Sequence, residues 1–253
     1  MTTTPTLPFD LALATRHLAV RDEKLAELIS ATAPFEIRYA GDSPYEALLK
    51  AIAYQSISGK AAATIFGRVK ELSGNGRPPS PEQMLKLSKS ALRKAGLSAA
   101  KILAMKDLAR KTIEGVVPSR AQAEKLSDLE LIERLDSVRG IGAWTVEMFL
   151  IFNLGRPDVL PVHDLGVRKG WSVAYGKKHM PTAKQLLAFG ERWRPYRTIG
   201  SWYMWRAFQR AGYAATNKIR PPKAKAGRKR RTIVIKRRKR VVVLVKRRKS
   251  TKA

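Results

Sequence analysis

Two helical patterns collide at a five-residue turn, and that turn constrains the chain more than any other stretch. Upstream, Leu126, Leu129, Ile132 and Leu135 recur every three residues, which predicts a helix with one apolar face. Downstream, Ala143 to Phe152 is almost continuously apolar, which predicts a second helix buried on most sides. Only Val138-Arg139-Gly140-Ile141-Gly142 separates the two patterns. Glycine takes a positive φ without strain and lets another backbone come close. Ile141, held between two glycines, can pin the turn into a core. A turn that opens a helix leaves N–H groups facing outward, where an anion can bind. An ordinary helix–turn–helix corner with a glycine C-cap has the same spacing, and a lone Gly-x-Gly does not decide between them.

Charge weighs on that choice. The 253 residues include 50 Lys and Arg against 20 Asp and Glu, a formal net charge of +30. Such an excess points to a polyanionic partner, nucleic acid before membrane. Residues 218–253 hold 18 of the basic residues and no acid, so the remaining residues still carry +12. In so basic a chain a nucleic-acid phosphate is the natural anion, and the turn reads as a helix-hairpin-helix DNA-binding motif. With 44% hydrophobic residues the chain can bury a real core. It has no cysteine, which excludes disulfides, a thiol nucleophile and cysteine-ligated zinc or iron–sulfur sites. The N-terminus does not read as a secretory signal, and no apolar run approaches a membrane span.

Along the chain, residues 1–8 read as disordered. Asp10 to Leu18 and Glu23 to Ile29 read as short helices, the second capped by Asp22. Ser43-Pro44-Tyr45-Glu46 is a strong helix start, with a capping serine, proline at the first position and a glutamate closing a capping box. Gln55-Ser56-Ile57-Ser58 interrupts that helix before a second runs to about Leu72. Ser80-Pro81-Glu82-Gln83 and Ser127-Asp128-Leu129-Glu130 are further starts, and Gly96 ends a short helix after Ser88. A helix from Ser98 to Ile113 carries Lys101, Lys106, Arg110 and Lys111, read as a basic outer face. After Phe152 an extended or looped segment, 158–164, leads into a helix with Arg168 and Lys169. Pro181 to Trp193 is helical, and a last aromatic-rich helix spans Ile199 to Gly212. Nothing in residues 1–217 reads as a sheet. The segment 230–249 repeats a basic cluster plus a β-branched run twice, and is expected to be disordered when free.

Chemistry-bearing residues are few. His17, His163 and His179 are far apart and have no metal-ligand spacing. There is no Ser/His/Asp arrangement and no phosphate-binding Gly-Lys-Ser/Thr loop. Asp164 remains, at the start of a helix. It can simply cap that helix. It can also be a fixed, ionised carboxylate that suits a reaction building positive charge on a sugar.

With these residues in place, the chain resembles the helix-hairpin-helix (HhH-GPD) DNA glycosylases, above all the 3-methyladenine DNA glycosylase II group of AlkA and Mag type. Val138 to Thr145 matches the hairpin, and Asp158 to Gly170 the segment bearing the catalytic aspartate. Arg192 to Thr198 and Trp202-Tyr203-Met204-Trp205 match the last helix. The likeness covers roughly residues 40–210. It implies an all-α, two-lobed fold of the compact Mag type at 1–217, with the lesion cleft between the lobes and a basic DNA-binding tail at 218–253. It also implies hydrolysis of the N-glycosidic bond of alkylated purines after the nucleotide is rotated out of duplex DNA. Relatives that cut the backbone place a lysine where Trp144 stands, so no lyase activity is expected.

By the same resemblance Asp164 is catalytic, and Trp144, Trp205, Met148, Phe152 and Asn153 belong to the base pocket. Arg139, Gly140, Ile141, Gly142 and Thr145 face DNA, and Gln55, Ile57 and Ser58 lie in the loop that fills the gap left by the flipped base. No cofactor is required. Backbone carbonyls of Asp136, Val138 and Ile141 match those that hold a Na+ or K+ ion in the family. The expected partner is double-stranded DNA with alkylated bases, met by a monomer with no membrane attachment, in a bacterial cytoplasm or nucleoid or a eukaryotic nucleus. A glycosylase for another lesion, such as a deaminated base, and a non-catalytic DNA-binding protein are the rival readings.

Overall fold

The structure, a computed structural model, describes residues 9–37 and 41–221. The expectations for residues 1–8 and for the basic repeat lie outside the described residues. The described residues belong to one compact unit. Thirteen α-helices and no strand occur among the described residues; the sole pairing is a bridge between His179 and Arg220.

Local signals explain the element boundaries. α1 (Leu11–Arg21) and α2 (Glu23–Ser30) start at Asp10 and Asp22, whose carboxylates accept the first free N–H groups. α3 (Pro44–Tyr54), α5 (Pro81–Lys86) and α9 (Asp128–Asp136) open with the expected capping boxes of Ser43, Ser80 and Ser127. α4 (Gly59–Glu71), α6 (Lys89–Lys94) and α7 (Ala99–Ile113) start at single serine caps. α8 (Arg120–Lys125), which the periodicity does not reveal, carries its own capping box from Ser119 and Gln122. Each such cap stabilises its helix by about 1 kcal/mol. α10 (Ala143–Phe152), α11 (Leu165–Ala174) and α12 (Ala183–Gly190) follow, then a 3-10 turn and α13 (Arg197–Asn217), which continues past a kink at Gly212.

Two apolar clusters define two lobes. The first gathers Leu48, Ile52, Phe66, Met105, Leu131 and Leu150 from α3, α4, α7, α9 and α10. The second gathers Leu18, Leu25, Val167, Leu186, Trp193 and Tyr203 from α1, α2, α11 to α13 and the 3-10 turn. Trp205 packs against both. Polar ties fix the second lobe. Buried Asp22 accepts Tyr175 Oη–H at 2.6 Å and Trp193 Nε1–H at 2.9 Å. The loop after α10 is sewn to the start of α13: Arg197 donates to Asp158 at 2.7 Å, and Thr198 Oγ accepts the Val159 N–H at 3.0 Å.

Two sequence expectations need correction. Leu126, just before α9, and Ile132 and Leu135 within it pack against the core as the three-residue period predicts, but Leu129 is exposed and Leu131 is buried instead, so the period misplaces that one position. In α7 the basic residues do not form an outer face. Lys101 donates to Ala53 O at 2.7 Å, Lys106 to Leu85 O and Leu87 O at 2.9 and 2.8 Å, and Lys111 to Ser137 O. Arg110 pairs with Asp107 and Glu114. The three lysines cap the C-terminal ends of α3, α5 and α9, where unpaired carbonyls and the negative end of the helix dipole need a cation.

Candidate active site

The two hairpin glycines perform different tasks. Gly140 has φ +76°, and a Cβ there would stand 3.2 Å from Ala104 Cβ. Gly142 has φ −115° and caps α10 without a side chain; a Cβ there would meet nothing within 4 Å. Ile141 is buried between them, as expected. The N–H groups of Gly140, Gly142, Ala143 and Trp144 have no acceptor among the described residues, and all four residues are exposed. Outward N–H groups at a helix start are the arrangement that can receive an anion. The Arg139 N–H is not part of it, because it donates to Asp107 Oδ2 at 2.8 Å. Burial opposes ionisation of Asp107, but that N–H and Arg110 outweigh it and hold the carboxyl below its usual range.

The loop between α3 and α4 is fastened to this hairpin. Gln55 Nε2 donates to Gly140 O at 2.9 Å and reaches Thr145 Oγ1 at 3.5 Å. Ser56 takes a positive φ of 59°. Ser58 Oγ accepts the Ala61 N–H and so is committed to capping α4. Ile57 is the large side chain exposed between them.

Asp164 stands at the N-terminus of α11. Its Oδ1 accepts Val167 N–H at 2.7 Å and Trp205 Nε1–H at 2.8 Å, and its Oδ2 accepts Trp144 Nε1–H at 2.9 Å. Three donors thus fill three of the four lone-pair positions of a carboxylate. The cap and the charged centre are one group. Trp144 arrives from α10 and Trp205 from α13, so three elements converge on this carboxylate. Trp205 also stacks on Phe152, with ring centroids 5.6 Å apart.

Two glycines on α11 make that convergence possible. A Cβ on Gly166 would stand 2.8 Å from Trp205 Cδ1, and one on Gly170 only 1.8 Å from Met204 O. Both glycines fall in the segment Asp158 to Gly170, where only Asp164 is expected from the sequence to act. Their four-residue spacing on one helix face is the signal that could have found them.

Beside α10 lies a cavity of about 250 Å³, whose lining includes Asp42, Lys50, Tyr54, Met148, Phe152 and Asn153. A second opening of about 550 Å³ shares Tyr54, Thr145 and Met148 and reaches Trp144, Gly140 and Ser56. Together they connect the loop, the hairpin and the first of the two tryptophans. One turn past Trp144 stands Glu147, half-buried, whose carboxyl is pushed up to about 7 by burial and then by the Asp164 charge.

Hairpin carbonyls also have spare capacity. Ser137 O is taken by Lys111. Val138 O accepts only Ile141 N–H, and the carbonyls of Asp136 and Ile141 accept no hydrogen bond among the described residues. No cluster of three His, Asp or Glu side chains suited to a metal occurs among the described residues.

Comparison with known proteins places this geometry. The pattern of the HhH-GPD superfamily base excision DNA repair protein matches residues 49–195. The chain is 40% identical over 215 residues to the DNA-3-methyladenine glycosylase 1 of Schizosaccharomyces pombe, covering 84% of this chain and 93% of that one. It superposes on the S. pombe 3-methyladenine DNA glycosylase solved with abasic DNA with a TM-score of 0.70 at 40% identity, covering 77% and 95% of the two chains. A DNA-3-methyladenine glycosidase from Bacillus halodurans superposes with a TM-score of 0.71 at 31% identity, covering 84% and 97%.

Proposed function

The chain belongs to the HhH-GPD superfamily of base excision DNA repair proteins, and from that premise we propose that it is a monofunctional DNA glycosylase for alkylated purines of the 3-methyladenine and 7-methylguanine type. The observation that carries this reading is Asp164, held between two indole N–H groups and a helix N-terminus. Binding DNA alone gives no reason to fix a carboxylate in this way, which separates the enzyme from a catalytically silent DNA-binding protein.

The chemistry follows from the residues. An alkylated ring nitrogen makes the purine cationic and a good leaving group. As the bond from C1′ to nitrogen breaks, positive charge develops on the sugar. Asp164, held in place by its three donors, sets a fixed carboxylate where it can lower the energy of that charge. Its remaining lone pair can face C1′ or orient the attacking water. The exposed face of Trp144 offers electron density to a cationic base. No amine stands at position 144, so the product is an intact abasic strand and not a nicked one.

The free backbone N–H groups of Gly140, Gly142, Ala143 and Trp144 would hold a phosphate and position the duplex without reading its sequence. Ile57 would fill the gap left by the extruded nucleotide. The carbonyls of Asp136, Val138 and Ile141 have the spare lone pairs to hold Na+ or K+, which would add positive charge beside that phosphate. The protein acts wherever DNA lies, in the bacterial cytoplasm or nucleoid or the eukaryotic nucleus. No described helix is long and apolar enough to cross a membrane.

The deciding experiment is release of free base from methylated duplex DNA by wild type and by Asp164→Asn. Wild type should release base and leave the strand intact. The variant should lose release by about 10²-fold or more while still binding abasic DNA. Near-wild-type turnover in Asp164→Asn would remove Asp164 from the mechanism, and strand nicking before alkali or heat would contradict the monofunctional reading.

A further inference from the structure

An asparagine that lines the smaller cavity carries a buried donor without a partner among the described residues. Asn153 is 3% exposed, and its Nδ2 is one of two buried side-chain polar atoms without a partner among the described residues. Such orphans are rare in folded proteins. Asn153 ends α10 and lines the cavity together with Tyr54, Met148 and Phe152.

The orientation of its amide is not arbitrary. Asn153 Oδ1 accepts Arg120 Nη1–H at 3.0 Å. A guanidinium has five donors and no acceptor, so only the oxygen of the amide can face it. Arg120 is itself fixed. Its Nε donates to Glu124 at 2.8 Å, and the same Nη1 reaches Asp42 O at 3.4 Å. The amide nitrogen is therefore turned away from Arg120, and no described residue receives it.

We propose that Arg120 is a positioning residue that turns the Asn153 amide so that the cavity offers a hydrogen-bond donor to an extruded base, favouring purines with a carbonyl acceptor at that edge. This rests on the glycosylase reading above and adds a selectivity to it. Purines of guanine type carry a carbonyl at C6, and those of adenine type carry an amino group there. A fixed donor pairs with the first and opposes the second. A matched base keeps the donor paired, whereas a mismatched base leaves it without an acceptor. A freely rotating amide could show either end and would not discriminate.

The test uses the full chain and two probes, free 7-methylguanine and free 3-methyladenine, whose binding is read by quenching of tryptophan fluorescence. Asn153→Asp keeps the shape and the Arg120 contact but presents an acceptor to the cavity. It should weaken 7-methylguanine binding about tenfold and change 3-methyladenine binding less than threefold, a difference of about 1.4 kcal/mol for the first. Arg120→Met should shift the ratio in the same direction, and Arg120→Lys, which again supplies only donors, should restore it. Equal losses for both bases, or no change in their ratio, would overturn the proposal. A thermal melt and affinity for abasic DNA identify a misfolded variant, and Arg120→Met then decides. Base release from methylated DNA is scored separately: wild type that binds the free bases with the expected ratio but releases none would sink the glycosylase reading and leave this one standing.

Discussion

Gly170 on α11 lies so close to Met204 on α13 that a Cβ on the glycine would stand 1.8 Å from the Met204 carbonyl oxygen. No real carbon can occupy that place. The two helices meet backbone to side-chain-free backbone, and one residue further along α13 Trp205 delivers its N–H to Asp164. Gly170→Ala should therefore part the helices and destabilise the protein by about 3 kcal/mol, lowering Tm by roughly 10 °C. Gly166→Ala should act differently. Its Cβ would displace the Trp205 indole more than the helix, so base release should fall about tenfold or more with a smaller change in Tm. A calorimetric scan and single-turnover base release distinguish the two, and equal melting of both variants would contradict the assignment.

Gly140 and Gly142 should separate in the same kind of measurement. Gly140→Ala forces a Cβ into the left-handed region, costing about 1–2 kcal/mol, and against Ala104. Gly142→Ala should melt like wild type, because that Cβ enters open space. Gly142→Val should weaken binding to all duplexes alike, with or without a lesion, since it crowds backbone donors that read no base. An effect confined to one lesion would count against a phosphate contact.

Glu147 gives the protein a pH dependence of definite sign. The folded state holds its carboxyl near 7, against an ordinary value of 4.5. Between those values the folded form binds a proton that the unfolded form has released. Stability must then fall as pH rises from about 4.5 through about 7, and the loss is complete above that. Glu147→Gln removes the effect. The variant should match wild type near pH 4.5 and be more stable at pH 8, by about 1 kcal/mol after allowing for solvent screening of a half-buried group. A difference in Tm that does not change between these pH values would refute the linkage.

Residues 218–253 carry +18 with no acid. If this segment tethers the enzyme to duplex through phosphates, deleting it should flatten the salt dependence of binding to undamaged DNA. Single-turnover base release at saturating enzyme should scarcely change. An unchanged salt slope would rule out the tether, and lost chemistry would show that the segment belongs to the catalytic unit.

The sequence by itself determined most of the helices and several of their starts, because caps and turn glycines act over three or four residues, but it revealed neither α8 nor the full extent of α13. Ser43, Ser80 and Ser127 with their box partners set three helix starts, and Gly140 with Ile141 set the hairpin. It also singled out Asp164, which stands out once histidine and cysteine are eliminated. The tertiary structure alone decided what meets what. Lys101, Lys106 and Lys111 look like a solvent face because charge is usually solvated, yet carbonyls of helices distant in sequence claim them. Leu129 satisfies a period, but packing against neighbouring helices selects Leu131. Arg120 and Asn153 lie 33 residues apart and carry no mutual signal in the chain. Their partnership, like the arrival of Trp144 and Trp205 at one carboxylate, exists only because helix packing brings them within a hydrogen bond. Local interactions are written in adjacent residues; long-range polar contacts depend on distances that only the packed core fixes.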